Sequence, residues 1–301
     1  MICKDRVVIV TGAGRGLGRA HALEFARQGA KVVVNDLGVS RDGSGEVAAG
    51  PADEVVAEIK ALGGEAVASP HDIATDDGAK ALVQLALDTF GRLDVLVNNA
   101  GFLRDRMLIN QGEDEWDAVM RVHLKGHFLP LKYAGQHWRA ESKAGRRPDA
   151  RIINTSSGAG LLGSVGQGNY SAAKAGIVGL TLVASAELGR YGVTVNAIAP
   201  AARTRMTEEV FAATMAAPGE NEFDAMAPEN VSPTVVWLGS PLAADVTGRV
   251  FELEGGKITV MEGFRHGPTV DKGERWDPAD IDPVVRELLA KSATPEPVYG
   301  A

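Results

Sequence analysis

The sequence predicts an α/β fold, a single domain built on a doubly wound, seven-stranded parallel sheet. Three observations carry this expectation. Short apolar runs rich in Val and Ile recur along the chain, longer stretches with helical spacing separate them, and glycines stand where several of those stretches end. Strands that are apolar throughout are covered on both faces, and a helix returning the chain between them makes the sheet parallel.

The strand runs are residues 7–10, 30–34, 66–68, 93–97, 151–154, 193–198 and 250–253. Between the early ones lie amphipathic stretches over 15–28, 51–62 and 77–90. Gly29, Gly63, Gly91 and Gly192 close such stretches, where a left-handed residue ends a helix. No internal repeat or low-complexity block breaks the alternation. Residues 1–262 hold the whole pattern, and 263–301 form a C-terminal extension. Within that extension Asp282–Pro283 opens a short helix carrying Ile281, Val284, Val285, Leu288 and Leu289, expected to dock on a neighbouring subunit or across the lid formed by residues 204–229. The last ten residues, SATPEPVYGA, are expected to be loose.

Bulk properties narrow the function. Of 301 residues 45% are apolar and 23% charged, ordinary for a globular protein with a large core. A formal charge of −8 argues against a nucleic-acid partner. Cys3 is the sole cysteine, which excludes an intramolecular disulfide and a cysteine-based zinc site; no metal is expected. The opening ICKDRVVIVTGAG reads as a strand, too short in its apolar run for a signal peptide, and no apolar stretch is read as a membrane span. A cytoplasmic protein acting on a small molecule is the expectation.

A doubly wound sheet binds ligands at the carboxyl ends of its strands, where strand order reverses. The loop after the first strand reads TGAGRGLG, with Gly12, Gly16 and Gly18 spaced GxxxGxG. Missing Cβ atoms let a backbone approach a pyrophosphate, and the helix beginning near Gly16 directs free N–H groups at it. Asp36 ends the second strand, eighteen residues beyond Gly18, placed to accept hydrogen bonds from the hydroxyls of an adenosine ribose. Its charge would repel the extra phosphate of NADP, so NAD is the expected cofactor, although Arg15 inside the loop pulls the other way. Further along, YSAAK places Tyr170 and Lys174 four residues apart, on one face of a helix.

These residues together resemble the short-chain dehydrogenase/reductase family: TGAGRGLG at 11–18, NNAG at 98–101, Ser157, and YSAAK at 170–174, over a span from about residue 5 to 260. The resemblance implies a Rossmann-type fold and an oxidoreductase moving a hydride between nicotinamide and a secondary alcohol or ketone. It implies that Ser157 bonds the substrate oxygen, Tyr170 transfers the proton, and Lys174 binds the nicotinamide ribose. Leu17, Asp72, Ile73, Asn99, Ala100, Gly101 and Pro200 are the further cofactor positions it implies, with Asp72 and Ile73 near adenine. Ser156 is the neighbour most easily confused with Ser157, and strand alternation points it the other way. The family is commonly tetrameric, and small residues at 172, 173, 175, 176 and 179 would let helices of two copies approach, so a homotetramer or homodimer is expected.

More narrowly, VVVNDLG, AGFLRDRM, RVHLKGHF and IAPAARTRMT are similar to the (3R)-hydroxyacyl-CoA dehydrogenase domains of peroxisomal multifunctional enzymes of type 2. An acyl-CoA thioester is the substrate this implies. A steroid or other bulky secondary alcohol, or a 3-oxoacyl thioester reduced with NADPH, are alternatives within the same class, and a non-catalytic cofactor-sensing protein is the alternative outside it. One departure stands out: where many members have an asparagine that anchors a relay water, this chain has His123. Two roles stay open for it, holding that water or packing locally. Arg104 and Arg106 follow NNAG and face either coenzyme A phosphates or structural acids. Arg146 and Arg147 precede a strand, on the edge away from the chemistry, and read as solvated. Residues 204–229 are expected to cover the substrate.

Overall fold

A computed structural model describes residues 1–38, 50–203 and 222–300. The chain alternates β1 (Val7–Thr11), α1 (Gly16–Arg27), β2 (Lys31–Asn35), α2 (Gly50–Ala61), β3 (Glu65–Ser69), α3 (Asp76–Phe90) and β4 (Val95–Asn98). There follow α4 (Glu113–Met120), α5 (Gly126–Lys143), β5 (Ala150–Thr155), α6 (Gly158–Leu162), α7 (Gly168–Leu188) and β6 (Val193–Ala201). The last elements are α8 (Ser232–Gly239), β7 (Val250–Glu254), β8 (Lys257–Val260) and α9 (Ile281–Lys291).

The sheet runs in the order β3-β2-β1-β4-β5-β6-β7-β8, so strand order reverses between β1 and β4. All seven expected strands are present and mutually parallel. An eighth, β8, pairs antiparallel with β7. Its four residues are all exposed, so it carries no burial pattern; the turn Gly255-Gly256 is its signal, with Gly255 at φ 54°.

Alternate residues of each strand feed two cores. Val8 and Val10 pack with Phe25, Ile59 and Leu238 under α1, α2 and α8. Val7 and Ile9 pack with Leu82, Trp138 and Ile152 on the side of α3, α5 and α7. Trp138 is buried and donates its indole N–H to the Leu93 carbonyl at 2.7 Å, satisfying its one polar atom. At the amino ends of the strands Arg6 and Arg151 converge on Asp149, and Asp94 accepts from the Val7 amide at 2.8 Å. Arg146 pairs with Glu141 and Arg147 is exposed, both on this edge, away from the switch point.

Two features of the chain read differently in the structure, and a third lies largely outside the described residues. The stretch from Gly168 to Tyr191 is long and apolar enough, by length and composition, to cross a membrane, contrary to the expectation that none is. It packs against β6 and α6 through a buried side holding Ala173, Ile177, Thr181 and Ala184, and leaves Leu182 and Val183 exposed. Most of the expected substrate cover, residues 204–221, lies outside the described residues; Arg203 pairs with Asp224 at its near end. The final segment is not loose, because Tyr299 is hydrogen-bonded to the chain at 163 and 165. The α9 helix forms where expected, with none of its residues buried.

The expected helix-ending glycines all adopt left-handed backbone, with φ 87° at Gly29, 81° at Gly63, 77° at Gly91 and 79° at Gly192. Gly192, leading into β6, is the most constrained, because a Cβ there would lie 2.1 Å from the Pro148 carbonyl oxygen. Gly192→Ala is therefore expected to lose stability by at least about 1–3 kcal/mol, the scale of a left-handed non-glycine residue. Urea unfolding of the two proteins measures it, and equal midpoints would contradict the packing described.

Candidate active site

The glycine loop joins β1 to α1 and folds as it does because three contacts exclude side chains. A Cβ on Gly12, at φ 64°, would lie 2.7 Å from the Ala100 Cα, and one on Gly18 would lie 2.1 Å from the Gly12 carbonyl oxygen. Gly14, which the sequence reading passed over, leaves room for the Asp36 carboxylate: its amide donates to Asp36 Oδ2 at 2.9 Å. The Gly38 amide donates to the other oxygen at 2.7 Å, so Asp36 is fixed at the end of β2, half-buried, beside the loop. The α1 helix starts at Gly16 with no side-chain cap from Arg15, which is exposed, and no acid in its first turn. Its first N–H groups and the glycine cradle fit a pyrophosphate.

Asn99 locks this loop from the neighbouring strand. Its side-chain amide donates to the Thr11 and Gly12 carbonyls at 3.0 and 3.2 Å, and its backbone N–H donates to Thr11 Oγ1 at 2.9 Å. The Ala100 N–H donates to the same hydroxyl at 3.2 Å. Leu17 packs at the edge of the core below the loop, and Pro200 is half-buried near the end of β6. Asp72 accepts from the Ala74 amide at 2.9 Å and pairs with Arg121; Ile73 is buried against Gly126.

Beyond β5 the chemistry-bearing groups converge. Ser157 is the N-cap of α6, its hydroxyl accepting from the Ala159 amide at 3.2 Å, and it lies close enough to the Tyr170 phenol to favour the phenolate. Ser156 donates to the Lys174 carbonyl at 2.9 Å, so its hydroxyl is engaged by the backbone of α7. Lys174 is buried, donates from Nζ to the Thr155 carbonyl at 2.7 Å, and lies 5.4 Å from the centre of the Tyr170 ring. Burial moves the two groups in opposite directions: the Tyr170 phenol is pushed up to about 12, with Ser157 opposing, and the Lys174 ammonium down to about 7. The phenol is thus a proton donor near neutrality.

His123 sits in a five-residue π-helical turn, Arg121–Lys125, between α4 and α5. A π turn inserts one extra residue per turn and re-aims a side chain, commonly at functional sites. The ring is fully buried, which lowers it to about 3, so it is neutral. Nε2 meets the backbone of Phe102, 2.7 Å from the carbonyl oxygen and 3.1 Å from the amide. The ring stands edge-on to Tyr170 with centroids 5.2 Å apart, and Nδ1 has no hydrogen-bond partner among the described residues. Gly101 is required here, since a Cβ on it would come 2.2 Å from His123 Cε1. His127, one turn on and also fully buried, was not singled out by sequence; Lys174 and His123 lie close enough to disfavour its charge further.

The arginines after NNAG meet acids. Arg106 pairs with Glu115 at 2.8 Å and Arg104 lies 3.7 Å from Asp114. Asp105 accepts from Gln167 at 2.9 Å, and Asn169 donates to the carbonyls of Arg104 and Glu115 at 3.3 Å each. These bonds tie the segment after β4 to the segment carrying Tyr170.

The chain is similar to known proteins along its length. Residues 6–214 match the family profile described as short chain dehydrogenase. The chain is 44% identical over 303 residues to hydroxyacyl-CoA dehydrogenase ChsB1 of Mycobacterium tuberculosis, covering 98% of this chain and 92% of that one. It is 45% identical over 253 residues to peroxisomal multifunctional enzyme type 2 of Mus musculus, covering 84% of this chain but only 32% of the mouse protein. A crystal structure of a short chain dehydrogenase from Mycobacterium avium superposes with a TM-score of 0.89 at 64% identity, each chain covered in full.

The Lys174 shift has a measurable consequence. Between about 7 in the folded protein and 10.5 in the unfolded chain, the unfolded state binds a proton that the folded state lacks. The destabilising contribution is therefore complete below the lower value and fades as pH rises to the upper one. Unfolding free energies of wild type and Lys174→Met, measured across that window without cofactor, are expected to show the wild type gaining on the variant as pH rises. A constant difference would mean that Lys174 keeps its charge in the folded protein.

Proposed function

The chain belongs to the short-chain dehydrogenase family, and from that we propose that it oxidises a secondary alcohol, or reduces the matching ketone, on a 3-hydroxyacyl-CoA thioester with NAD as cofactor. The observation that carries the reading is the placing of Ser157 and the buried Lys174 beside the Tyr170 ring. The names of the relatives support the thioester. The nicotinamide, when bound, supplies or accepts the hydride. Ser157 donates a hydrogen bond to the substrate oxygen, and Tyr170 gives that oxygen its proton in reduction or takes it in oxidation. Lys174 lies under the phenol, placed to hold a ribose hydroxyl and to favour the phenolate as it forms. His123 keeps a water beside Tyr170 through Nδ1. The apolar strip of α7 that leaves Leu182 and Val183 exposed is read as a contact between copies in a homodimer or homotetramer, and the location as cytoplasmic.

Tyr170→Phe is expected to keep cofactor affinity and fold while losing turnover at least about a hundredfold, the scale of a general acid. Because the phenol is held protonated, wild-type alcohol oxidation is expected to quicken as pH rises above neutrality. Steady-state assays with NAD and a panel of 3-hydroxyacyl-CoA and steroid alcohols test both statements; near-normal turnover in the variant would remove Tyr170 from the reaction.

Asp36 carries the choice of NAD. Two amides fix its carboxylate beside the glycine loop, and a phosphate at close range would meet repulsion of about a few kcal/mol at intermediate dielectric. The expected result is a higher kcat/KM with NAD than with NADP, and a ratio that moves toward NADP in Asp36→Ala. Preference for NADP in the wild type would overturn the assignment.

A further inference from the structure

The loop between Ser157 and Tyr170 is held along both edges by distant parts of the chain. On one edge the Arg106 amide donates to the Gly166 carbonyl at 2.8 Å, in a parallel bridge of Arg106 with Gln167. On the other, the Val165 amide donates to the Tyr299 carbonyl at 2.9 Å and the Tyr299 amide donates to the Gly163 carbonyl at 3.2 Å, in a parallel bridge of Ser164 with Tyr299. The loop is thus the middle strand of a miniature three-stranded arrangement. Its C-terminal strand comes from the extreme end of the chain.

Side chains reinforce that edge. The Tyr299 ring covers Gly158, the residue after Ser157, so closely that a Cβ on Gly158 would lie 3.0 Å from ring carbon Cε2 and from the hydroxyl. The hydroxyl donates to Glu252 on β7 at 3.3 Å, which anchors the ring to the sheet. Val298 lies over Gly163, 3.4 Å from where a Cβ would stand. With glycines at 158, 160, 163, 166 and 168, the loop has little side-chain packing of its own to hold it.

We propose that residues 298–300 form a positioning strap. By pairing with the loop and covering Gly158, Tyr299 fixes the place of Ser157 relative to Tyr170 and builds the outer wall of the substrate cleft. Tyr299 acts through Ser157, so its influence falls on the substrate side. The inference rests on the oxidoreductase reading above only for its kinetic consequence; the pairing itself can be read without any substrate.

Tyr299→Pro removes both the amide donor and the ring in the full-length chain, while Tyr299→Phe keeps both and loses only the bond to Glu252. In Tyr299→Pro, amide hydrogen exchange at Val165 is expected to be at least about tenfold faster, with β1 amides unchanged, because local opening exposes only that edge. The same variant is expected to lose about tenfold or more in kcat/KM for the 3-hydroxyacyl-CoA, with NADH affinity within about twofold of wild type. Tyr299→Phe is expected to recover most of both losses. Unchanged protection at Val165 in Tyr299→Pro would overturn the strap, as would lost protection with wild-type kcat/KM. If the wild type turns over no 3-hydroxyacyl-CoA, the substrate reading falls, and Val165 exchange alone then decides for or against the pairing.

Discussion

The site depends on the closeness with which β4 passes β1 at the point where strand order reverses. Beyond this point the two strands separate, and Asn99 bridges the fork by donating to the carbonyls of Thr11 and Gly12. That bridge brings Ala100 so near that only glycine fits at position 12, and the Gly12 carbonyl in turn leaves no room for a side chain at 18. The glycines of the loop are therefore demanded by contact as much as by backbone angle: Gly18 has no positive φ, whereas Gly12 and Gly16 do. The start of α1 is positioned by this approach, and the Asp36 carboxylate is held beside it by the Gly14 and Gly38 amides.

On the substrate side the governing constraint is dielectric. A buried ammonium and a buried phenol are both driven toward their neutral forms, and they are driven apart in proton affinity. A cation bound about 5 Å from the phenol, at an effective dielectric near 20, would favour phenolate by roughly 3 kcal/mol. Set against a phenol pushed up to about 12, that is too little to ionise it near neutrality. Tyr170 in this protein is therefore better suited to handing over its proton as charge develops on the substrate oxygen than to resting as a phenolate. Ser157, beside the phenol, is the group that couples the two oxygens.

How much of this was legible in the sequence follows from what kind of interaction made each part. The seven parallel strands showed because most of their residues are apolar and buried. Asp36 showed through its distance from the glycine loop. The β8 strand did not, because its residues are exposed and its pairing is backbone alone. The π turn around His123 shifts hydrogen bonds by one residue without changing composition; Pro130, which withholds the amide that would bond the Gly126 carbonyl in α5, is the one local hint that this helix is irregular. The pairing of Asp72 with Arg121, of Arg106 with Glu115, and of Tyr299 with the active-site loop joins positions that only the fold brings together.

The loop carrying Ser157 shows why an active site can be built from a segment with so few side chains. Gly160 lies against α7 so tightly that a Cβ on it would come 2.5 Å from that of Lys174, so α6 and the helix bearing Tyr170 and Lys174 meet almost backbone to backbone. Such contact fixes distance but supplies few side-chain interactions to resist sliding. Direction must come from hydrogen bonds at the loop's edges, and those are made by Arg106 and Tyr299. Close packing and edge pairing divide the work: the first sets how far Ser157 stands from Tyr170, the second sets which way it faces.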